Sequence, residues 1–163
     1  MTGLRPRTIV LVGVALGAVF SAWNVLASLF NPLADDTVPA LLMFYGPMFA
    51  AWALAGAAAS RRSGRVSDGA RIGALVALVT FAILTIVVIG RVNLFLELTS
   101  QRPDWQTVGE RFRASGFSSF RTFVNYEYVT GAPFKLLVAS MIGAVMGLAG
   151  GGMAALLGRG TAR

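Results

Sequence analysis

The sequence predicts an all-α integral membrane protein: a four-transmembrane-helix bundle with an aromatic-rich outer loop between helices three and four. Two observations predict it. Four stretches carry no charge over a membrane-length distance, Thr8–Ala34, Thr37–Ser60, Ile72–Gly90 and Leu136–Gly158. A helix rises about 1.5 Å per residue, so ~20 residues cross a hydrocarbon core of ~30 Å. Composition agrees, since 56% of the 163 residues are hydrophobic and only 13% are charged, against about 25% charged in a soluble domain. A soluble core of this size has no room to hide four such stretches, and the chain reads as one membrane domain over 1–163.

Helix one is expected over about 8–30. Asn31-Pro32 closes it, because a proline disfavours helix in the residue before it. A signal-peptide reading, with Arg5 and Arg7 ahead of an apolar region, fits less well. The apolar run continues through Trp23, Leu26 and Phe30, beyond the 7–15 residues of a typical signal core. Helix two is expected over about 38–60, with Pro39 acceptable in its first turn and a kink around Tyr45-Gly46-Pro47. A basic loop over 61–69 follows. Helix three is expected over about 70–90, with a helix-compatible pattern continuing to 98. Helix four is expected over about 133–157, with Lys135 at its outer edge.

The loop, about 99–132, is long enough to ask for a function or an ordered fold. Trp105, Val108 and Phe112 fall at helical spacing after Pro103, with Ser115-Gly116 as a stop signal. The next part is ambiguous. Phe117, Phe120 and Val124 suit an amphipathic helix, whereas Thr122, Val124, Tyr126, Tyr128 and Thr130 suit a period-two strand. A lone strand is marginal, so the expectation is a short helix followed by extended chain.

Charge placement orients the bundle. Arg5, Arg7, Arg61, Arg62, Arg65, Arg71, Arg159 and Arg163 cluster near the two termini and the second connection, with only Asp68 among them. The first connection holds Asp35 and Asp36 and no base. Short loops rich in Arg and Lys stay cytoplasmic, so both termini and the 60–71 loop are expected inside. This topogenic pattern accounts for the net charge of +7, and no nucleic-acid partner is expected. An Arg-, Ala- and Gly-rich chain suggests a GC-rich bacterial genome, hence a multi-pass protein of the bacterial cytoplasmic (inner) membrane.

The chain has no cysteine and no histidine, which removes disulfides, thiol nucleophiles and the usual zinc and haem ligands. No catalytic, metal or cofactor site is expected. Gly150, Gly151 and Gly152 lack the GK[ST] ending of a phosphate loop and are expected to loosen the last helical turns. No acid or base falls at a membrane centre. A charge there costs at least ~2.5 kcal/mol on insertion scales, so its absence argues against proton-coupled transport. The absence of an acid in helix one also separates this chain from the small multidrug exporters.

Three constellations stand out. Small residues recur every fourth position in helix four (Ala139, Gly143, Gly147, Gly151), in helix one (Gly13, Gly17, Ser21) and in helix two (Ala51, Ala55, Ala59). Such a face lets another helix approach closely, within one bundle or between protomers. Arg91, Asn93, Glu97 and Lys135 gather at the expected outer boundary, with Asn93 and Glu97 four apart on one helix face. One acid with two bases is a poor cation site but a tolerable place for an anionic group. Trp105, Phe112, Phe117, Phe120, Tyr126 and Tyr128 suit interfacial packing or docking of a partner.

The expected function is therefore that of a non-enzymatic accessory, assembly or scaffold subunit. Its expected partners are the lipid bilayer and another membrane protein or a second copy. The alternative is a small oligomeric channel or transporter, which needs Asn24, Thr80 and Thr85 to converge on a polar path. We predict that the chain stays in the membrane pellet after alkaline carbonate washing. A carboxyl-terminal tag should be labelled only after the cells are permeabilised.

Overall fold

The computed structural model describes residues 6–31, 33 and 37–160, without the side chains of 159 and 160. Arg5, Asp35, Asp36, Arg163 and the Arg159 side chain, which carry part of the orientation argument, lie outside the described residues, as does most of the 31–37 turn. All elements among the described residues are helical: α1 (Pro6–Phe30), α2 (Val38–Ser63), α3 (Val66–Leu94), α4 (Leu96–Thr99), a 3-10 turn (Pro103–Trp105), α5 (Gln106–Ser115) and α6 (Phe120–Gly160). Four of these helices, α1, α2, α3 and α6, are long and apolar enough to cross a membrane, which marks a multi-pass membrane protein. Their outward faces carry Leu11, Leu42, Leu54, Ile86, Leu137, Met141 and Val145, each more than half exposed. Apolar cover on that scale far exceeds what a soluble monomer leaves open.

The helix ends follow from local chemistry. Thr37 caps α2, its hydroxyl accepting from the Ala40 N–H at 3.4 Å. Pro39 sits in the first turn, where its missing N–H costs nothing. α2 runs through Pro47 and ends at Gly64, whose φ of 73° lies in the left-handed region and whose N–H donates to the Ser60 carbonyl at 2.8 Å. The expected 61–69 loop shrinks to two residues. Arg61 and Arg62 prolong α2 and Asp68 belongs to the first turn of α3, each charge complementing the helix dipole.

Helix four is longer than expected. α6 starts at Phe120 rather than near 133 and runs unbroken for 41 residues, about 60 Å at helical rise. The extended stretch expected after Phe120 is therefore helical, and the expected 99–132 loop ends at residue 119. The reason is tertiary. Phe123 and Val124 are buried, with Phe120 and Tyr128 packed around them, while Thr122, Tyr126 and Thr130 are exposed. That is a helical face, and it has a partner. Val92, Leu96 and Trp105 complete the same buried cluster, flanked by Phe112 and Phe117. α5 follows Pro103 as the spacing predicts and stops at Gly116, φ 75°.

The bundle centres on α3, against which α1, α2 and α6 all pack, while α2 also packs along α6. The three-way contact is made by glycine. A Cβ added at Gly147 of α6 meets Gly73 Cα at 3.0 Å. One added at Gly69 lies 2.7 Å from the Gly147 carbonyl oxygen, and one at Gly56 runs into the Gly147 backbone. Gly150 and Gly151 sit against Ala53 and Ser60 of α2, so they fit the helix tightly rather than loosening it. On α1, a Cβ at Gly13 or Gly17 comes within 2.7 Å of Val79 Cβ or 2.9 Å of Ile83 Cβ. Ser21 and Ala139 are buried. Helix two meets α6 through Ala53, Gly56 and Ser60, a row shifted from the 51–55–59 row.

Two substitutions test this. Gly147→Val should lower the thermal midpoint in detergent sharply, at the cost of about 1–3 kcal/mol or more expected of an overpacked core. Gly152→Ala, where a Cβ meets nothing within 4 Å, should be neutral or stabilising by up to about 1 kcal/mol.

Candidate functional site

The boundary cluster divides in two. α3 ends at Leu94, and Phe95 (φ −119°, ψ 30°) breaks the helix before α4. Asn93 and Glu97 therefore do not share one helix face, which corrects the sequence reading. Asn93 turns to α6 and exchanges two amide hydrogen bonds with Asn125, at 2.6 and 3.0 Å. The Arg121 Nη1 donates to the Asn93 carbonyl at 3.0 Å, closing an orphan carbonyl at the end of α3. Glu97 is exposed in α4.

Arg91 and Lys135 do converge. Both line a cavity of about 350 Å³ between the ends of α1, α2, α3 and α6, with Arg102 as a third base. Among the described residues no acidic side chain lines it. Asp104, outside the lining, pairs with Arg102 at 2.9 Å. The remaining polar lining is Asn24, Ser28, Thr85, Tyr45 and Tyr128. Ser28 links the parts: its hydroxyl donates to the Asn24 carbonyl at 2.9 Å and accepts from Arg91 Nη1. Asn24 Oδ1 is buried with no hydrogen-bond partner among the described residues. Lys135 Nζ stands 4.7 Å from the centroid of the Tyr128 ring, a cation–π contact.

This composition suits an anion. Arg91, Lys135 and the Asp104-paired Arg102 line one pocket with several hydroxyls, and its volume lies in the ~300–1,000 Å³ range of small-molecule sites. Thr80 stays apart, bonded to the Gly13 carbonyl at 3.3 Å and buried between α1 and α3. Below the cavity lies the core of Phe20, Met48, Trp52, Val76 and Ala77. A pocket at the opposite end, beside Ser60, Arg61 and Ala154, shares no lining residue with it.

The aromatic residues are mostly used internally. Trp105 and Phe123 are buried, and Phe112 lies 5.2 Å from Phe120 and 5.7 Å from Phe123, centroid to centroid. Phe117 meets Phe123 edge-on and Tyr126 at a tilt, and of this set Tyr126 is the more exposed, at 56%. Arg111 of α5 pairs with Glu127 of α6 at 3.0 Å. A larger depression of about 540 Å³ beside this pair carries both signs of charge, Asp104 and Glu127 with Arg111 and Lys135.

Sequence reasoning placed Arg102 among the interfacial bases of the outer loop and did not join it, Tyr45 or Ser28 to Arg91 and Lys135. Arg102 lies eleven positions beyond Arg91, and only the break at Phe95 returns it to the same pocket. No three His, Cys, Asp or Glu side chains gather as a metal site among the described residues. The Asn93–Asn125 pair has a direct test. Asn93→Ala and Asn125→Ala should each destabilise by about 1–3 kcal/mol. Their double variant should cost less than the sum, by about 0.5–3 kcal/mol of coupling, read from denaturation midpoints.

No protein-family model matches the chain, and neither a characterised protein nor a solved structure matches it.

Proposed function

We propose that this chain is a non-catalytic accessory or assembly subunit of the bacterial cytoplasmic membrane, with an anion-binding site at its outer boundary. The observation that carries this reading is the cationic cavity at the α5 end, closed beneath by Phe20, Met48 and Trp52. A pocket with a packed floor binds; it does not conduct. Arg61, Arg62, Arg65 and Arg71 lie at the other end of α2 and α3, which supports an inside position for that end and an outside position for α5. The two termini then face the cytoplasm, and the packed aromatic cap stands at the outer leaflet.

Two further observations bear on the alternatives. Asn24 and Thr85 line one cavity, as a channel would need, but Thr80 is sealed away with α1. Glu127, an acid of the outer cap, is held by Arg111 at 3.0 Å. The glycine faces of α6 are filled by α2 and α3, so oligomer contact through that stripe has little support. A partner is instead expected on the exposed apolar faces of α1 and α6.

Extraction in mild detergent should recover the chain with one other membrane protein in fixed ratio. A chain recovered as a pure homo-oligomer that passes ions across liposomes would replace this reading with the channel.

A further inference from the structure

We propose that the groove between α2 and α6 is a site for a prenylated quinone, with the ring in the groove and the tail in the lipid. The groove and its ligand are independent of the anion site above. Tyr45, Phe49 and Trp52 fall at helical spacing on one face of α2, and Val138 and Ile142 of α6 line the same space of about 270 Å³. Phe81 of α3 and Phe134 of α6 add two more rings. Lys135, also in the lining, already stands over the Tyr128 ring. Below Tyr45 and Lys135, the one polar atom among the lining side chains is the indole nitrogen of Trp52. Phe134 is 71% exposed, and Tyr45, Phe49, Val138 and Ile142 are half-buried, so the groove opens on the lipid-facing surface.

Trp52 is fully buried, and its Nε1 has no hydrogen-bond partner among the described residues. An N–H left in hydrocarbon without an acceptor is costly, because no water is there to take it. The groove therefore asks for an acceptor, and depth decides which kind. Trp52 lies near the middle of α2 (Val38–Ser63), about 10 Å inward from Tyr45 at helical rise. Phospholipid ester carbonyls stand at the edge of the ~30 Å hydrocarbon core, and the acyl chains below them carry no acceptor. The missing acceptor has to belong to a molecule that dissolves in the core itself.

The walls narrow the class further. Phe49 stacks on Tyr45 at 5.9 Å and 26°, and lies 5.4 Å from Trp52 at a tilt, centroid to centroid. Aromatic faces carry negative charge density, so they favour an electron-poor flat ring stacked offset upon them. A quinone ring is flat and electron-poor, and its carbonyl oxygens are acceptors. The volume falls below the ~300–1,000 Å³ of pockets that enclose a drug-sized molecule, which suits a ring whose tail stays outside. A saturated lipid tail would fill the groove and leave the indole N–H unanswered. An apolar partner helix, its backbone carbonyls already bonded internally, would do the same.

The test uses the full chain purified in an uncharged detergent. It is titrated with a short-tailed prenyl naphthoquinone, or with the prenyl naphthalene that has the same rings and no carbonyls. Unbound ligand is removed by gel filtration, and retained ligand is extracted and quantified by absorbance. One naphthoquinone per chain should be retained, with about fivefold preference over the naphthalene, the worth of one neutral hydrogen bond. Trp52→Phe keeps a ring and loses the donor, so it should abolish that preference. Val138→Phe narrows the groove and should lower retention of both ligands; thermal midpoints verify that each variant folds. If Trp52→Phe does not fold, the comparison of the two ligands on the unaltered chain and the Val138→Phe result decide. Equal retention of the two ligands, or an unchanged preference in Trp52→Phe, overturns the proposal. Full retention in Val138→Phe, or a co-purified phospholipid that the quinone fails to displace, overturns it as well.

Discussion

The close approach of three helices at Gly147 is the constraint on which the rest of the bundle depends. Lipid tails solvate a leucine as well as another leucine does, so apolar helices gain little from mere contact. They gain from packing that lipid cannot match, and that requires backbones to come near one another. Gly56, Gly69 and Gly73 make this possible on α2 and α3, with Gly143, Gly147 and Gly150 on α6. A single methyl group at most of these positions meets backbone rather than a flexible side chain, so no small rearrangement absorbs it.

The opposite end of the bundle is built on the reverse principle. Phe44, Tyr45, Phe49, Phe81 and Tyr128 occupy the space where glycines sit lower down, and large rings hold helices apart. The result is a gap between α1, α2, α3 and α6 that the described side chains do not fill. Charges collect at its mouth because Arg91 and Lys135 lie where the apolar runs of α3 and α6 stop or begin. Tight glycine packing at one end and aromatic spacing at the other thus produce both the closed floor and the open cavity.

The cap obeys the rules of a water-soluble core in miniature. Trp105, Phe123, Val124, Val92 and Leu96 form a second buried cluster, tied outside by the Arg111–Glu127 pair and the Asn93–Asn125 amides. This cluster keeps the first turns of α6 helical and turns the chain at Phe95, which returns Arg102 to the cavity. The lining of the site therefore depends on a core that meets it only through Val88 and Tyr128.

The number of long apolar helices and the limits of the first were legible from charge-free runs, because a membrane demands a helix of at least a set length wherever such a run occurs. The stop at Gly116, the start at Pro103 and the small-residue faces of α1 and α6 were legible for the same local reasons. What tertiary structure alone decided was which partner each face would meet. The segment from Phe120 to Tyr128 fits helix and strand equally well in isolation, and burial against α5 chose the helix. Asn93 stood four positions from Glu97, the spacing of a helical pair, yet a break at Phe95 gave it to Asn125. Arg91, Arg102 and Lys135 are distant in the chain, and no periodicity links residues on separate helices. Local chemistry sets what a segment prefers, and only the packed bundle sets which side chains share a cavity.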